Sequence, residues 1–324
     1  MDFSELFRFF IGLVFFMGLG LLFMWKLGVF SSIPLLRAPA RYNTLTFIQP
    51  IVVLLVYFFS AIIFMLILQS VGHPAHAATT QPASDLPDMN ELIADAAGHF
   101  IGLALIVYIA IISFTNGLDG IGISWRKLPR GLGIGILAFV LFMPLLFFTE
   151  VASSSLFSVL TNSNPPEHPI LQVLQQQPSS SETALLVFSA CVMAPVTEEL
   201  FFRGLIQSWL CRVFSNARKK RAAQPVSAIN WPGVHITLSP VVPADPEAPH
   251  PVDRWSAILV TATLFAAVHL TIAGGAIAWM APLFLLGVGL GYVYERTGNI
   301  FTDITLHACF NMFGILMAMT SSGN

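Results

Sequence analysis

Three polar motifs lie in segments that are hydrophobic enough to cross a bilayer. They are Glu198-Glu199-x-x-x-Arg203, Phe265-x-x-x-His269 and His307-x-x-x-Asn311. Ionisable side chains inside a membrane segment are costly and need partners, so they usually mark a functional site. A glutamate with two histidines, or with a histidine and an asparagine, can activate water and stabilise an oxyanion. The motifs therefore predict one buried polar site with the groups that hydrolysis needs.

The spacing within the first motif predicts different roles for its two glutamates. Adjacent residues of a helix point about 100° apart, so at most one glutamate can face a shared site squarely. Arg203 follows Glu199 by four residues, which is the favourable spacing and direction for an ion pair. We therefore predict that Glu199 and Arg203 form a structural pair and that Glu198 performs the chemistry. The alternative is one buried charge cluster of all three residues without catalysis.

The two histidine motifs also have structural alternatives. Phe265 and His269 share one helix face, and a lone histidine in an apolar helix is more often a hydrogen-bonded core residue than a ligand. His307 and Asn311 share a face at the same spacing, and polar residues commonly join membrane helices by hydrogen bonds. Acid, imidazole and amide groups on three separate helices nevertheless fit a joint site better than packing alone.

The composition predicts an all-α protein of the membrane. Of the 324 residues, 56% are hydrophobic and only 10% are charged, whereas soluble domains carry about 25% charged residues. Helices are favoured over barrel strands because the apolar runs are long and uniform. We expect a polytopic bundle of about eight spans of roughly 20 residues. In chain order, spans 1 to 8 are 7–26, 46–70, 97–116, 131–149, 183–210, 256–273, 277–294 and 299–319.

The basic residues predict the orientation of the bundle. Lys and Arg follow spans 1, 3, 5 and 7, whereas the loops 72–96 and 150–182 contain neither. Basic loops are typically cytoplasmic, so both termini are expected outside and the motifs in the middle to cytoplasmic half of the membrane. The run from Phe9 to Trp25 is too long for the apolar core of a cleavable signal peptide, and we interpret it as span 1.

The polar motifs divide the chain into two predicted regions. Residues 1–176 form an N-terminal four-span region with no convincing internal polar group, and residues 177–324 form a four-span catalytic region. Between them, the Gln/Pro/Ser-rich stretch 175–181 is typical of a linker, and Ser179-x-x-Glu182 is typical of a capping box. Asp303, near the start of span 8, suits a helix cap better than it suits orienting His307.

Other sequence features exclude further classes of protein. No basic patch interleaved with aromatic residues indicates nucleic-acid binding. The run Gly287-x-Gly289-x-Gly291 lies inside an apolar segment, so it predicts close helix packing and not a dinucleotide site. No HExxH motif is present to support a zincin-type metalloprotease.

The ordered motifs resemble those of the CPBP family of intramembrane proteases. This family, also called Abi, includes type II CAAX prenyl endopeptidases and bacteriocin-processing relatives. The resemblance covers about residues 183–319 and includes every required motif position. It implies a membrane-embedded endopeptidase whose partners are a lipid bilayer and a peptide or membrane-protein substrate of CAAX-like or bacteriocin-like type. The expected location is a bacterial cytoplasmic membrane.

The resemblance also implies roles for single residues. In such an enzyme, the first glutamate and the first histidine would activate water, and the second histidine and the asparagine would stabilise the oxyanion. The catalytic residues would then be Glu198, His269, His307 and Asn311. The supporting residues that hold the site together would be Glu199, Arg203 and Phe265.

The use of a metal ion stays open at the level of sequence. Glu198, His269 and His307 could supply three ligands to zinc or another divalent ion, with water in the fourth place. The same residues could act without a metal, as a base and as oxyanion donors. Two alternatives come from other classes of protein: a non-catalytic membrane scaffold, and a proton-coupled transporter, since Glu and His inside a bundle also build proton relays.

Overall fold

The structure is a computed structural model, and it describes residues 3–26, 33–71, 89–165, 172, 180–222, 248–272 and 277–321. Over these residues every regular element is a helix, and the only strand-like pairing is an isolated bridge between Asn43 and Phe114. The predicted all-α class is therefore confirmed.

The long helices follow the predicted apolar runs. Those of spans 1 to 4 are Phe3–Lys26, Ile48–Val71, Met89–Ser113 and Leu128–Thr161. Span 5 is one composite helix made of Ser180–Phe188, Ser189–Met193, Ala194–Glu199, Leu200–Gln207 and Ser208–Ala222. Spans 6 to 8 are Pro251–Ile272, Met280–Thr297 and Ile300–Ser321. The short helices are Ile33–Leu36, Gly117–Ile121, Trp125–Lys127 and Ile277–Trp279.

Seven helical segments in the described part of the chain are long and apolar enough to cross a membrane. They are Ile48–Ser70, Asn90–Ser113, Gly117–Thr161, Ser180–Arg221, Pro251–Leu270, Ile277–Thr297 and Ile300–Met317. These segments coincide with predicted spans 2 to 8, and predicted span 1 falls in a 24-residue helix of its own. The prediction of a polytopic bundle of about eight spans is therefore confirmed, and the protein is an integral membrane protein.

The two predicted regions of the chain share one core. Span 4 packs against both span 7 and span 8. A single hydrophobic cluster joins Phe142 of span 4 to Phe202, Phe265 and Leu306 of spans 5, 6 and 8. The N-terminal spans therefore form part of the wall around the polar motifs. The proposed cap residue Ser179 lies outside the described residues.

The glycines of span 7 allow close helix packing, as predicted. An added Cβ at Gly287 would lie 3.0 Å from the backbone of span 6, and one at Gly289 would lie 2.7 Å from the Phe142 ring. At Gly291 the added atom would lie 2.7 Å from Oε1 of Gln207. Because glycine has no side chain, spans 4, 5 and 6 approach span 7 closely at these three positions, and a larger residue would collide with them.

The helix of span 8 begins with a cap from a different residue than predicted. Asn299 precedes the helix, and its Oδ1 accepts a hydrogen bond from the amide of Phe301 at 3.3 Å. Asp303 is fully buried, and neither of its carboxylate oxygens accepts a hydrogen bond from the described residues. The prediction that Asp303 caps this helix is wrong because Asp303 already lies inside the first turn and its carboxylate accepts no hydrogen bond from the described backbone amides.

Candidate active site

The helix of span 5 contains two wider π-helical stretches, Ser189–Met193 and Leu200–Gln207. The α-helical segment Ala194–Glu199 between them carries both glutamates of the first motif. Pro195 stands at the start of this segment and has no amide hydrogen for the helix ladder, which accounts for the first irregular stretch. Because π-helical turns are rare and often occur at functional sites, the glutamates stand at an unusual position on the helix.

Glu199 and Arg203 form the predicted ion pair, and both side chains are fully buried. Nε of Arg203 lies 3.1 Å from Oε2 of Glu199, and Nη1 donates to Oε1 at 3.2 Å. Nη2 donates to the Gly287 carbonyl at 3.3 Å. The arginine therefore neutralises Glu199 and also ties span 5 to span 7.

His307 of span 8 contacts Glu199, which the local spacing did not predict. Its Nδ1 lies 2.7 Å from Oε1 of Glu199, and the residue is buried. Because an ionised carboxylate can only accept a hydrogen bond, Nδ1 carries the proton and Nε2 is left for a second partner. A carboxylate that fixes a histidine tautomer in this way is a common device in hydrolytic sites.

Glu198 faces His269 of span 6. Oε2 of Glu198 lies 3.7 Å from Nε2 of His269, and the side chains are 25% and 19% exposed. Nδ1 of His269 lies 2.7 Å from the Phe265 carbonyl oxygen and must donate to it, so Nε2 of the neutral ring is an acceptor. Two acceptors 3.7 Å apart do not bond to each other, and a water molecule that lies beside the pair can donate one hydrogen to each. Oε2 of Glu198 accepts no hydrogen bond from the described residues.

Phe265 fills the space between these two pairs. Its ring centroid lies 4.5 Å from that of His269 and 5.8 Å from that of His307. The guanidinium of Arg203 lies 4.7 Å from the same centroid, a distance at which a cation is attracted to an aromatic face. Phe265 is fully buried. It therefore holds both imidazoles in place and shields the Glu199 ion pair from water.

Asn311 hydrogen-bonds to the backbone of span 5 and to no other motif residue in the described part of the chain. Its Nδ2 donates to the Ala190 carbonyl at 2.7 Å. Ala190 lies in the first π-helical stretch, so the amide satisfies a carbonyl at an irregular turn. This contact matches the helix-packing alternative named for the third motif. The amide nitrogen has a second hydrogen, which leaves one donor for an oxyanion.

The three predicted metal ligands are not brought together as a set. Among the described residues, no group of three His, Cys, Asp or Glu side chains is placed to hold a metal ion. His307 is hydrogen-bonded to Glu199, whereas Glu198 and His269 face each other. These residues as arranged do not fit a three-ligand metal site, so no reaction step below passes through a metal.

Spans 2 and 3 add a polar group beside this site, contrary to the prediction that the N-terminal region has none. The Tyr57 hydroxyl donates to Oδ1 of Asp95 at 2.7 Å, and Nε2 of His99 lies 3.5 Å from Oδ2. The Ser189 hydroxyl of span 5 donates to Oδ2 at 3.3 Å. The prediction is wrong because a single polar residue in an apolar run, or at the end of one, does not reveal in the sequence that it has a partner on another helix. Only the i, i+4 spacing of Asp95 and His99 was a local signal.

Two clusters of charged side chains lie among spans 5 to 8, the second together with Arg41 from the segment before span 2. The acid–imidazole cluster consists of Glu198, Glu199, Arg203, His269 and His307. The guanidinium cluster consists of Arg41, Gln207, Arg254 and Glu295.

The guanidinium cluster surrounds one fully buried carboxylate, that of Glu295. Arg41 donates to its Oε1 and Arg254 to its Oε2. Nε2 of Gln207 also donates to Oε1 at 3.0 Å, and Arg254 donates to the Ala38 carbonyl at 3.0 Å. Sequence spacing gave no sign of this cluster, because Glu295 stands at the end of span 7 beside Arg296 and looks like a surface charge.

The fold and the acid–imidazole cluster define a polytopic membrane protein with hydrolase-type groups inside its helix bundle. Residues 180–248 and 246–313 match the family model described as type II CAAX prenyl endopeptidase Rce1-like. No curated protein and no solved structure matched the chain. The matched region contains all three motifs, and the match confirms the resemblance to the CPBP family. The family that the model describes is one of endopeptidases.

Proposed function

We propose that this protein is an intramembrane endopeptidase that uses a glutamate-activated water. The observation that carries the proposal is the arrangement of Glu198 and His269, two acceptors 3.7 Å apart with an unpartnered carboxylate oxygen between spans 5 and 6. In an ion pair with a purely structural role, both oxygens of the carboxylate would accept hydrogen bonds. The match to an endopeptidase family over the same residues supports the assignment.

In the proposed reaction, Glu198 is the general base and His269 positions the water. A water that donates one hydrogen to each of them has its oxygen free to attack the scissile carbonyl carbon. Glu198 takes a proton as the new C–O bond forms. The proton then passes to the leaving nitrogen when the C–N bond breaks, which yields a carboxylic acid and an amine.

His307 and Asn311 are the proposed oxyanion donors. Negative charge collects on the former carbonyl oxygen in the tetrahedral intermediate, and donors aimed at that oxygen lower the barrier. Glu199 accepts the Nδ1–H of His307, which leaves Nε2 to face the oxyanion, and Nε2 donates to it when the ring carries a second proton. The second amide hydrogen of Asn311 is the other donor. Arg203 and Phe265 keep Glu199 and the rings in position.

The proposed substrates are membrane-associated peptides of CAAX-like or bacteriocin-like type. The family description names prenyl endopeptidases, so a prenylated peptide with a C-terminal CAAX sequence is the first substrate to test. The notion of a zinc-dependent reaction is tested separately. Stoichiometric zinc in the pure protein, with activity lost to a chelator and restored by zinc, supports it, and chelator-insensitive activity refutes it.

The experiment is a cleavage assay with purified protein in liposomes. A farnesylated CAAX peptide and a bacteriocin-precursor peptide, each carrying a fluorophore and quencher, are offered to the wild-type protein and to Glu198→Gln. We expect cleavage of at least one peptide by the wild type and none by the variant. Equal cleavage by both proteins contradicts the mechanism. Genetic function that survives in Glu198→Gln supports the scaffold alternative instead.

The orientation is also a proposal, with both termini outside and the basic loops in the cytoplasm. Single cysteines placed in the loops 72–96 and 212–253 of a cysteine-free protein test it. A membrane-impermeant maleimide added to intact cells should label the first loop and not the second. The opposite pattern contradicts the orientation.

A further inference from the structure

A basic pocket lies at the end of spans 5 and 6 where the basic loops attach. It encloses about 160 Å³, which is room for about five water molecules. The pocket is lined by four cations, and none of the described residues in its wall is Asp or Glu. Its lining residues are Arg41, Tyr42, Asn43, Ser208, Cys211, Arg212, Ser215, Asn216, Lys219, Pro249 and Arg254.

Arg41 is buried in the wall of this pocket with one donor unused. Its side chain is 7% exposed, and Nη2 of its guanidinium donates to Oε1 of Glu295. The Nε–H of Arg41 is buried and has no hydrogen-bond partner among the described residues. Burial alone lowers the pKa of Arg41, but the neighbouring Glu295 carboxylate raises it, and the net pKa shift is upward. The guanidinium therefore stays charged beside the pocket, and its Nε–H is a donor still to be satisfied.

Arg212 also lines this pocket and also has an unused donor. It is half-buried on the last helical segment of span 5, and its Nε–H is likewise buried without a partner among the described residues. Two arginines with unused buried donors therefore border one small cavity. Such donors suit an anion with several acceptor oxygens.

The described wall of the pocket carries four basic side chains and no Asp or Glu. Two of these cations, Arg41 and Arg254, share the neighbouring carboxylate of Glu295. The next carboxylate, Asp253, is bound by Arg218 at 2.9 Å. The wall also contains the small polar side chains of Ser215 and Asn216. An excess of cations with hydroxyl and amide groups is the environment in which proteins bind phosphate.

We propose that this pocket binds a phosphate group, supplied either by the headgroup of an anionic lipid or by free phosphate. Its position at the basic ends of spans 5 and 6 places it at the membrane surface, where pockets of this kind bind lipid headgroups. Its volume of about 160 Å³ accommodates one phosphate group. This site is separate from the acid–imidazole cluster and does not depend on the proposed protease activity.

The test measures binding to the intact protein in neutral detergent. The probes are inorganic phosphate, phosphatidylglycerol and, as a zwitterionic control, phosphatidylcholine. Binding is followed by the shift of the thermal unfolding midpoint and by lipid retained in native mass spectra. The variants are Arg212→Gln and Lys219→Gln, and the control is Arg126→Gln, an exposed arginine that follows span 3 and so belongs to another basic loop.

We expect wild-type protein and Arg126→Gln to bind phosphatidylglycerol more tightly than phosphatidylcholine, and Arg212→Gln to bind it about tenfold more weakly. The difference in affinity between the wild-type protein and Arg212→Gln should become smaller at high salt. If inorganic phosphate competes for the site, the phosphate group alone is sufficient; if it does not, the headgroup of a lipid is required. The proposal is overturned if neither probe binds, or if Arg212→Gln, Lys219→Gln and Arg126→Gln bind phosphatidylglycerol equally.

Discussion

The acid–imidazole cluster and the guanidinium cluster adjoin along span 5, where Arg203 of the first and Gln207 of the second are one helix turn apart, yet their hydrogen bonding differs. Arg203 and Gln207 of span 5 donate to the carbonyls of Gly287 and Gly291 of span 7. Arg203 and Gln207 are four positions apart, and so are Gly287 and Gly291. The two hydrogen bonds therefore lie one turn apart along spans 5 and 7 and join the clusters. The same packing therefore supports two different polar environments.

The difference lies in which acceptors are satisfied. Both carboxylate oxygens of Glu295 accept hydrogen bonds from buried donors. In the acid–imidazole cluster, Oε2 of Glu198 stands 3.7 Å from His269 without a hydrogen bond from the described residues, and both side chains are partly exposed. A carboxylate whose two oxygens are both bound can hold helices together, whereas a carboxylate with an unused oxygen can bind water and substrate. We infer that the first is a structural element and the second is the reaction site.

The largest expected effect is the loss of activity in Glu198→Gln. The amide cannot accept a proton from water, and removing a general base costs about 10²- to 10⁴-fold in turnover. Because Glu198 is partly exposed and makes no saturated ion pair, the unfolding midpoint should stay close to that of the wild type. Turnover in the liposome assay and thermal unfolding in detergent measure both quantities. Glu150→Gln, a partly buried glutamate of span 4, is the matched control and should retain activity.

The second expected effect is a loss of stability in Glu295→Gln. This change leaves Arg41 and Arg254 buried without their common counter-charge, and breaking a buried ion pair costs about 3–5 kcal/mol. The free energy of unfolding, from denaturant titration in detergent, should fall by that amount. Lys220→Gln changes an exposed charge and should leave it unchanged. A stable Glu295→Gln would show that the guanidinium cluster does not hold the helices together.

Asn311→Ala separates the two roles of that amide. If Asn311 donates to the oxyanion, kcat falls about 10²- to 10³-fold with little change in KM. If it only packs against Ala190, the change removes one hydrogen bond and lowers stability by about 1 kcal/mol. We expect the drop in kcat. Steady-state kinetics and thermal unfolding of the same preparation distinguish the outcomes.

The smallest expected effect is that of Tyr57→Phe. This change removes the hydrogen bond from the Tyr57 hydroxyl to Asp95 and leaves the ring contact with His99 in place. Since span 3 packs against the segment that carries Glu198, we expect less than about a tenfold loss of turnover, in line with one net hydrogen bond of about 0.5–1.5 kcal/mol. A loss as large as that of Glu198→Gln would move Tyr57 and Asp95 into the reaction itself.

The sequence predicted the spans because the bilayer imposes a length on every apolar run. Spans 2 to 8 were identified correctly for that reason. It also predicted the Glu199–Arg203 pair, because residues four apart meet on one helix. These are local rules that one chain reveals by itself.

Contacts between distant residues could not be predicted in this way. His307 meets Glu199 across 108 positions, and Arg41 meets Glu295 across 254. These pairs depend on how helices pack, and no spacing in a single sequence encodes that packing. For the same reason the local pattern gives no sign of the contacts of Glu295. The local pattern thus located the candidate site but gave only part of its internal bonding.

The most direct test of the two-cluster account compares Glu198→Gln and Glu295→Gln in one assay of turnover per folded molecule. The folded fraction is measured by thermal unfolding at the assay temperature, and peptide cleavage is divided by that fraction. We predict that Glu198→Gln is fully folded and inactive, whereas Glu295→Gln is less stable but active in its folded fraction. Cleavage by Glu198→Gln at the wild-type rate would contradict the account.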